Sequence, residues 1–159
     1  MSYLVVYYSR TGNNRTLAEA IAKGLSADAD EIVDKKNRKG RLNWLRAGSD
    51  SRGGKLTEIE YQKNPQDYDT IIIGAPIWAG NPNPPLRTYL QEVDLKEKRV
   101  AFFICSQTEA YKEMFPQLVA LTPDSEHIAN FGIQDKRFKN EDYSADLEAF
   151  IEEVKQLQG

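Results

Sequence analysis

Apolar and polar residues alternate along this chain in blocks that predict strands and helices in turn. Five short apolar blocks have the length and the β-branched or aromatic content of strands, and we place them at residues 3–8, 31–34, 70–75, 99–105 and 126–132. Apolar residues that recur every three or four positions predict the helices between them, as Leu17, Ile21 and Leu25 do behind the first block. The pattern therefore predicts alternating strands and helices.

The third and fourth blocks, TIIIGA and RVAFFIC, are apolar almost throughout instead of alternating. Parallel strands that lie between two layers of helices have this pattern, because both of their faces are covered. We therefore predict one doubly wound α/β domain over residues 1–159. Ligands of such sheets bind beyond the carboxyl ends of the strands, which makes the loops after Tyr8, Ala75 and Cys105 the candidate site.

The first of these loops, SRTGNNRT, offers hydrogen-bond donors and positive charge without an acid. It leads into a helix, whose free first-turn N–H groups and dipole favour an anion, and Gly12 allows the backbone to approach closely. We predict a phosphate site here, and the alternative is a polar turn that only caps the helix. The loop lacks both the ending of a P-loop and the three glycines of a dinucleotide turn. The candidate residues are Ser9, Arg10, Thr11, Gly12, Asn13, Asn14, Arg15 and Thr16.

The second loop, GAPIWAGNPNPPLRTYL, holds Trp78 between small residues in a stretch stiffened by prolines. Residues 70–91 contain no acid and a single base, Arg87. We predict that Trp78 is exposed and stacks on a flat heteroaromatic ring, and the alternative is a Trp that covers the hydrophobic core. A phosphate loop and a ring-binding loop on neighbouring strand ends together suggest a mononucleotide with a planar head group.

The third loop, SQTEAYKEM, offers polar contacts from Ser106, Gln107 and Thr108, and Tyr111 is placed to reach back over a ligand. A plain cap of the following helix is the alternative at these positions.

Charge is unevenly distributed along the chain. Residues 35–55 hold eight bases and one acid, a formal charge of +7, so the rest of a chain of net charge −3 carries −10. A solvated excursion is one interpretation of this basic segment, and a docking patch for an acidic partner or an anionic substrate is the other. We expect no nucleic-acid binding, since the segment has one aromatic residue, Trp44, and the remainder is acidic.

The content of cysteine and histidine limits the chemistry further. One cysteine, Cys105, excludes an internal disulfide, and with His127 as the single histidine we expect no metal site. Cys105 is interpreted as a buried core thiol. The chain has no apolar run long enough to span a membrane and no recognisable secretory leader, so we expect a cytoplasmic protein without a membrane contact.

Together these residues resemble the flavodoxin family, and in particular its short, single-domain members. Val5, Val6, Tyr7, Ser9, Gly12, Ala18 and Ile21 fit the family's first-loop pattern. Asn14 stands where the family prefers Thr, and its amide can also donate to a phosphate. The second loop resembles the family loop that covers the isoalloxazine, and the resemblance extends over the whole chain.

The resemblance implies a five-stranded parallel sheet of order 2-1-3-4-5 and noncovalently bound FMN, with its phosphate at residues 9–16. It implies an electron carrier that works with a redox partner protein or a small electron acceptor, as a monomer or a small homo-oligomer. An acid-free, aromatic surrounding would disfavour the negatively charged reduced ring and lower its potential. The ring is placed near Pro76, Ile77, Trp78, Ala79 and Gly80, with Trp78 as the stacking residue.

Four other functions fit less of the pattern. An FMN-dependent NAD(P)H or quinone oxidoreductase on the same fold is the main alternative, and a flavodoxin-fold module without flavin is another. A phosphate-accepting receiver domain is disfavoured, because the first strand ends in Tyr7, Tyr8 and Ser9 instead of paired acids. A small cysteine phosphatase is disfavoured because Cys105 ends the fourth strand and not the first.

Overall fold

The computed structural model describes residues 1–35, 57–78 and 80–156, and its centre is a parallel sheet of five strands. The apolar blocks of the sequence form these strands because each one is covered on both faces. Nine strands occur in the described residues: β1 Tyr3–Tyr7, β2 Asp28–Glu31, β3 Val33–Asp34, β4 Ile59–Glu60, β5 Thr70–Gly74, β6 Ile77–Trp78, β7 Asn81–Pro82, β8 Arg99–Ser106 and β9 Glu126–Gln134.

The order of the central sheet is β2-β1-β5-β8-β9, with every neighbouring pair parallel. When only the strands of this sheet are numbered along the chain, the order is 2-1-3-4-5, so the predicted order is confirmed. The direction of winding reverses between β1 and β5, and the carboxyl ends of these two strands lead into the first and second loops.

Helices cover both faces of this sheet. They are α1 Asn13–Leu25, α2 Pro84–Glu92, α3 Tyr111–Ala120, α4 Asp135–Asn140 and α5 Ser144–Gln156, with a 3₁₀ turn at Pro65–Asp67. Side chains of β1 alternate between the two faces: Val5 joins the core under α1 and α5, whereas Leu4 joins the core under α2 and α3. The alternation explains why the strands are apolar at successive positions.

The second strand of the sheet is not where the sequence predicts it. The prediction of residues 31–34 is wrong, because the strand that pairs with β1 is the polar stretch Asp28–Glu31. The apolar Val33 belongs instead to a short antiparallel pair, β3 with β4, and is exposed. Asp30 is buried in β2 because its carboxylate accepts the backbone N–H groups of Gln62 and Lys63.

Two further properties concern the described residues as a whole. None of the helices in that part of the chain is both long and apolar enough to cross a membrane. Within the same residues, no group of three or more His, Cys, Asp or Glu side chains lies close enough together to hold a metal ion.

Candidate functional site

The first loop turns from β1 into α1 at Gly12. Gly12 is the N-cap of α1 with φ 101°, a left-handed conformation that favours glycine. Ser9 Oγ accepts the N–H of Gly12 at 3.0 Å, and Thr16 Oγ1 donates to the carbonyl of Gly12 at 3.1 Å. A Cβ at Gly12 would meet nothing within 4 Å, so the backbone there faces open space. The first-turn N–H groups of α1 lack intrahelical acceptors, and they lie beside this space.

Arg15 forms an ion pair within the described residues. Its guanidinium donates to Glu31 at the end of β2, and Tyr7 is its second partner. The bond to Glu31 raises the pKa of Arg15, while burial and the Glu31 charge raise the pKa of Tyr7. The positive charge that the sequence predicts for the loop at Arg15 is therefore paired with an acid of the neighbouring strand, and a contact of Arg15 with a phosphate stays a prediction.

Asn14 lies on the inner side of α1 and is only 3 % exposed. Its amide nitrogen donates to the carbonyl of Cys105 at 3.2 Å, and its Oδ1 accepts the N–H of Cys105 at 3.1 Å. Both polar groups of the side chain are therefore occupied by the backbone of β8. These two bonds join the first loop to the strand that leads into the third, and a contact of Asn14 with a phosphate stays a prediction.

Asp135, the first residue of α4, completes the surroundings of Cys105. Its Oδ1 accepts the Cys105 thiol at 3.0 Å and the Asn13 amide at 3.3 Å. Burial, and then the bond to Asp135, raise the pKa of the Cys105 thiol, which therefore stays protonated and donates. The prediction of a buried core thiol is confirmed. Sequence inspection missed Asp135, because 122 positions separate it from Asn13 and no local pattern links them.

The second loop forms a small hairpin, β6 with β7, in which Ile77 pairs with Pro82 and Trp78 with Asn81. Trp78 is 6 % exposed and belongs to the core under α2 and α3, so its predicted exposure is wrong. Its ring lies edge-on to that of Tyr8, with centroids 5.5 Å apart and an interplanar angle of 80°. Tyr8 is the residue that precedes the first loop, so this aromatic pair joins the first loop to the second.

Asn83 fixes the second loop to the start of α2. Its Oδ1 accepts the N–H of Leu86 at 2.9 Å, and its amide donates to the carbonyl of Pro76 at 2.7 Å. The Asn-Pro-Pro sequence is a recognisable helix start, so the cap was readable from the sequence, although the contact with Pro76 was not. Gly80 turns the hairpin with φ 73° and, like Gly12, has open space where a Cβ would lie. Ala79 lies outside the described residues.

The third loop uses its polar groups locally. Ser106 Oγ donates to the carbonyl of Thr108 at 2.7 Å, and Thr108 Oγ1 accepts the N–H of Ala110 at 3.2 Å. The carbonyl of Gln107 accepts the amide of Gln134 at 3.1 Å. The ring of Tyr111 is buried against Gly132, where a Cβ would come within 2.2 Å of it. The bonds of Ser106 and Thr108 lie within the loop, since the N-cap of α3, Ala110, has no side-chain cap hydrogen bond, and a ligand contact of this loop stays a prediction.

The structure thus brings the three loops together at the carboxyl edge of the sheet. The pair of Tyr8 and Trp78 links the first loop to the second, and the paired bonds of Asn14 and Cys105 link it to the third. Ser9, Thr11 and the N-terminus of α1 remain as donors around the open space at Gly12, a donor set that fits a phosphate. The basic segment of residues 35–55 lies outside the described residues except for Lys35, which pairs with Glu58 and Glu60.

A parallel sheet of this order, with a polar loop free of acids after its first strand and an aromatic loop after its third, defines a doubly wound α/β protein of the flavodoxin-like class. The protein-family model described as a flavodoxin domain matches residues 42–126, which is more than half of the sequence. The chain therefore belongs to this family.

Solved structures agree with this fold. A flavoprotein from Bacteroides uniformis is 21% identical and has a TM-score of 0.80, with 95% of this chain and 97% of that one covered. A flavoprotein from Lactobacillus acidophilus in complex with FMN is 23% identical over 87% of this chain and 96% of that one, with a TM-score of 0.73. An apo NADH:FMN oxidoreductase is 12% identical over 100% of this chain and 91% of that one, with a TM-score of 0.66.

Proposed function

We propose that this chain binds FMN noncovalently as one domain over residues 1–159 and carries electrons between redox partners. The observation that carries the proposal is the meeting of an anion loop and an aromatic loop at the reversal point of the sheet. These loops belong to neighbouring strands, β1 and β5, and the contact between Tyr8 and Trp78 joins them directly. The membership of the flavodoxin family and the likeness to an FMN complex support the choice of FMN over other mononucleotides.

The phosphate end of the proposed site is the first loop. Ser9, Thr11 and the free N–H groups of α1 are the proposed donors to the phosphate, and Gly12 leaves their approach open. Arg10 supplies positive charge, while Arg15 is paired with Glu31. Asn13, Asn14 and Thr16 contribute through the shape of the loop, because their side chains bond to Asp135, Cys105 and Gly12 respectively.

The ring end of the proposed site is the second loop. Pro76, Ile77 and Gly80 form its partly open surface, and Trp78 lies behind them against Tyr8. When bound, the flavin supplies the electron chemistry, so the protein needs to bind, orient and shield it. A hairpin fixed by Asn83 at Pro76 is a rigid support for a flat ring. No side chain is required to act as an acid or a nucleophile.

The protein partners are proposed from charge. A redox partner with an acidic surface, or a small electron acceptor, is the proposed counterpart of the basic segment at residues 35–55. We propose that the protein works in the cytoplasm as a monomer or a small homo-oligomer. Nucleic acid is not among the proposed partners.

The cofactor is tested by the colour of the purified protein. We expect a yellow protein whose visible absorption band is released on denaturation and runs as FMN, not FAD, in chromatography. Protein purified without colour is titrated with FMN, riboflavin and inorganic phosphate. Failure to take up FMN at any concentration would overturn the proposal.

An NAD(P)H-dependent oxidoreductase on the same fold is the second candidate, and the likeness to an NADH:FMN oxidoreductase is the observation in its favour. Steady-state oxidation of NADH or NADPH with a quinone separates the two functions. An electron carrier gives no turnover above the rate of free FMN, whereas saturable turnover with a nicotinamide would replace the carrier function with the enzymatic one.

A further inference from the structure

Four side chains meet at one point behind the first loop, and we name them the Cys105 cluster: Asn13, Asn14, Cys105 and Asp135. They come from three separate elements, the first turn of α1, the end of β8 and the start of α4. The cluster therefore connects the proposed phosphate loop to the end of β8 and to the start of α4.

Asn14 connects α1 to β8 with two hydrogen bonds to a single residue. Its amide donates to the carbonyl of Cys105 and accepts the N–H of the same residue, at 3.2 and 3.1 Å. A pair of bonds fixes both the distance and the rotation of the first helical turn relative to the strand. Because the side chain is buried, loss of either bond would leave a polar backbone group of β8 without its partner.

Asp135 places a carboxylate beside a loop that is proposed to bind an anion. Electrostatics alone would make this charge unfavourable for a phosphate. The carboxylate nevertheless accepts the Asn13 amide and the Cys105 thiol through the same oxygen, Oδ1. Its contribution to the site is therefore geometric: it orients the first residue of α1, whose N–H is one of the proposed phosphate donors.

We propose that Asn14 and Asp135 are positioning residues, which hold the N-terminus of α1 in place for a phosphate without contacting it. The proposal rests on the proposed function, because the phosphate is that of FMN. It explains how the loop tolerates Asn where the related loops prefer Thr: the side chain at position 14 binds the backbone of β8 and leaves the phosphate to the other donors.

The first test compares Asp135→Ala with Asp135→Asn by the quenching of flavin fluorescence on binding. Both variants remove the charge, but the Asn oxygen can still accept the Asn13 amide and the thiol. We expect the affinity for FMN to fall about tenfold in Asp135→Ala and to stay within about threefold of the native protein, or to improve, in Asp135→Asn. Equal affinities of the two variants would overturn the positioning function of Asp135.

The second test uses the thiol of Cys105, which is the single cysteine of the chain. The rate of reaction with dithionitrobenzoate in the FMN-free protein reports how well the cluster shields the Cys105 thiol from solvent. We expect Asn14→Ala to react about tenfold faster than the native protein and to bind FMN about tenfold more weakly. Asn140→Ala is the matched control, because Asn140 is exposed and donates to the carbonyl of Lys136 within its own helix. A native reaction rate and a native affinity in Asn14→Ala would overturn the proposal for Asn14.

The two proposals can fail separately. If the native protein does not bind FMN, the proposed function fails. The rates at which Cys105 reacts with dithionitrobenzoate in Asp135→Ala and Asp135→Asn then still show whether the cluster shields the thiol. If Asn14→Ala does not fold, which circular dichroism will show, the two Asp135 variants carry the test alone. A native protein that binds FMN while all variants bind it equally well retains the proposed function and contradicts the positioning residues.

Discussion

The ring of Phe103 in β8 lies across the Cα of Gly74, the last residue of β5. The two residues are register partners in neighbouring strands, and a Cβ built on Gly74 would come within 2.0 Å of Phe103 Cζ. The Phe103 ring therefore occupies the space that a side chain at position 74 would need. Because Gly74 ends β5 and is the first residue of the second loop, the packing of this pair also determines where that loop begins.

Replacement of Gly74 by Ala should destabilise the protein, because the new methyl group must displace a fully buried ring. Overpacking of this kind costs about 1–3 kcal/mol in the free energy of unfolding, measurable by urea denaturation. The matched experiment introduces Gly74→Ala into a Phe103→Leu background, where the smaller side chain leaves room. We expect a smaller loss there, and an equal loss in both backgrounds would contradict the proposed clash.

Replacement of Trp78 by Ala should have two effects that can be measured independently. Loss of a buried aromatic ring that packs on Tyr8 should lower the free energy of unfolding by about 3–5 kcal/mol. Because Trp78 supports the proposed ring-binding surface from behind, its loss should also weaken FMN binding and reduce the quenching of flavin fluorescence. Trp78→Phe is the control, since it keeps a flat ring. A loss of stability with unchanged affinity and quenching would mean that Trp78 only covers the core.

The fold was predictable where burial alone decides the pattern. Strands such as β5 are apolar because both faces are covered, and Ile71, Ile72 and Ile73 follow one another for this reason. The second strand was misplaced because β2 is polar at the edge of the sheet. Its one buried residue, Asp30, is stabilised by backbone groups of Gln62 and Lys63. No local propensity signals a strand of this kind.

The candidate site was predictable as a set of loops but not as a set of contacts. The absence of acids and the position of Gly12 indicated an anion loop from local sequence. The bonds of Asn14 were not readable, because Cys105 lies 91 positions away and meets it only when β8 joins the sheet. The same applies to the pairing of Arg15 with Glu31, which depends on β2 lying beside β1.

Replacement of Gly12 by Ala should destabilise the first loop because it strains the backbone, and not because the new methyl group clashes with its neighbours. Gly12 has φ 101°, and nothing lies within 4 Å of the position that a Cβ would take. We expect a loss of about 1–2 kcal/mol in the free energy of unfolding, with a parallel loss of FMN affinity. Gly12→Asn is the control, because Asn adopts positive φ more readily although it is larger. A greater cost for Asn than for Ala would point to crowding instead.

Tyr68 should make the stability of the protein fall at alkaline pH. Its hydroxyl donates to Asp28 Oδ2 at 2.6 Å, and this bond, followed by burial, raises the pKa of Tyr68 to about 12 from its ordinary value of 10.0. Since the folded state keeps the phenol proton to a higher pH than the unfolded chain, the contribution is fully present below pH 10 and is lost as the pH rises from 10 to 12.

Urea denaturation of the native protein and of Tyr68→Phe, from pH 8 to pH 12, isolates this contribution from other groups that titrate in the range. Below pH 10 we expect the native protein to be the more stable of the two, because Phe cannot donate to Asp28. As Tyr68 ionises, its phenolate faces the Asp28 carboxylate, so the difference in stability should shrink through this window. A difference that stays constant across the range would mean that the bond between Tyr68 and Asp28 does not control the titration.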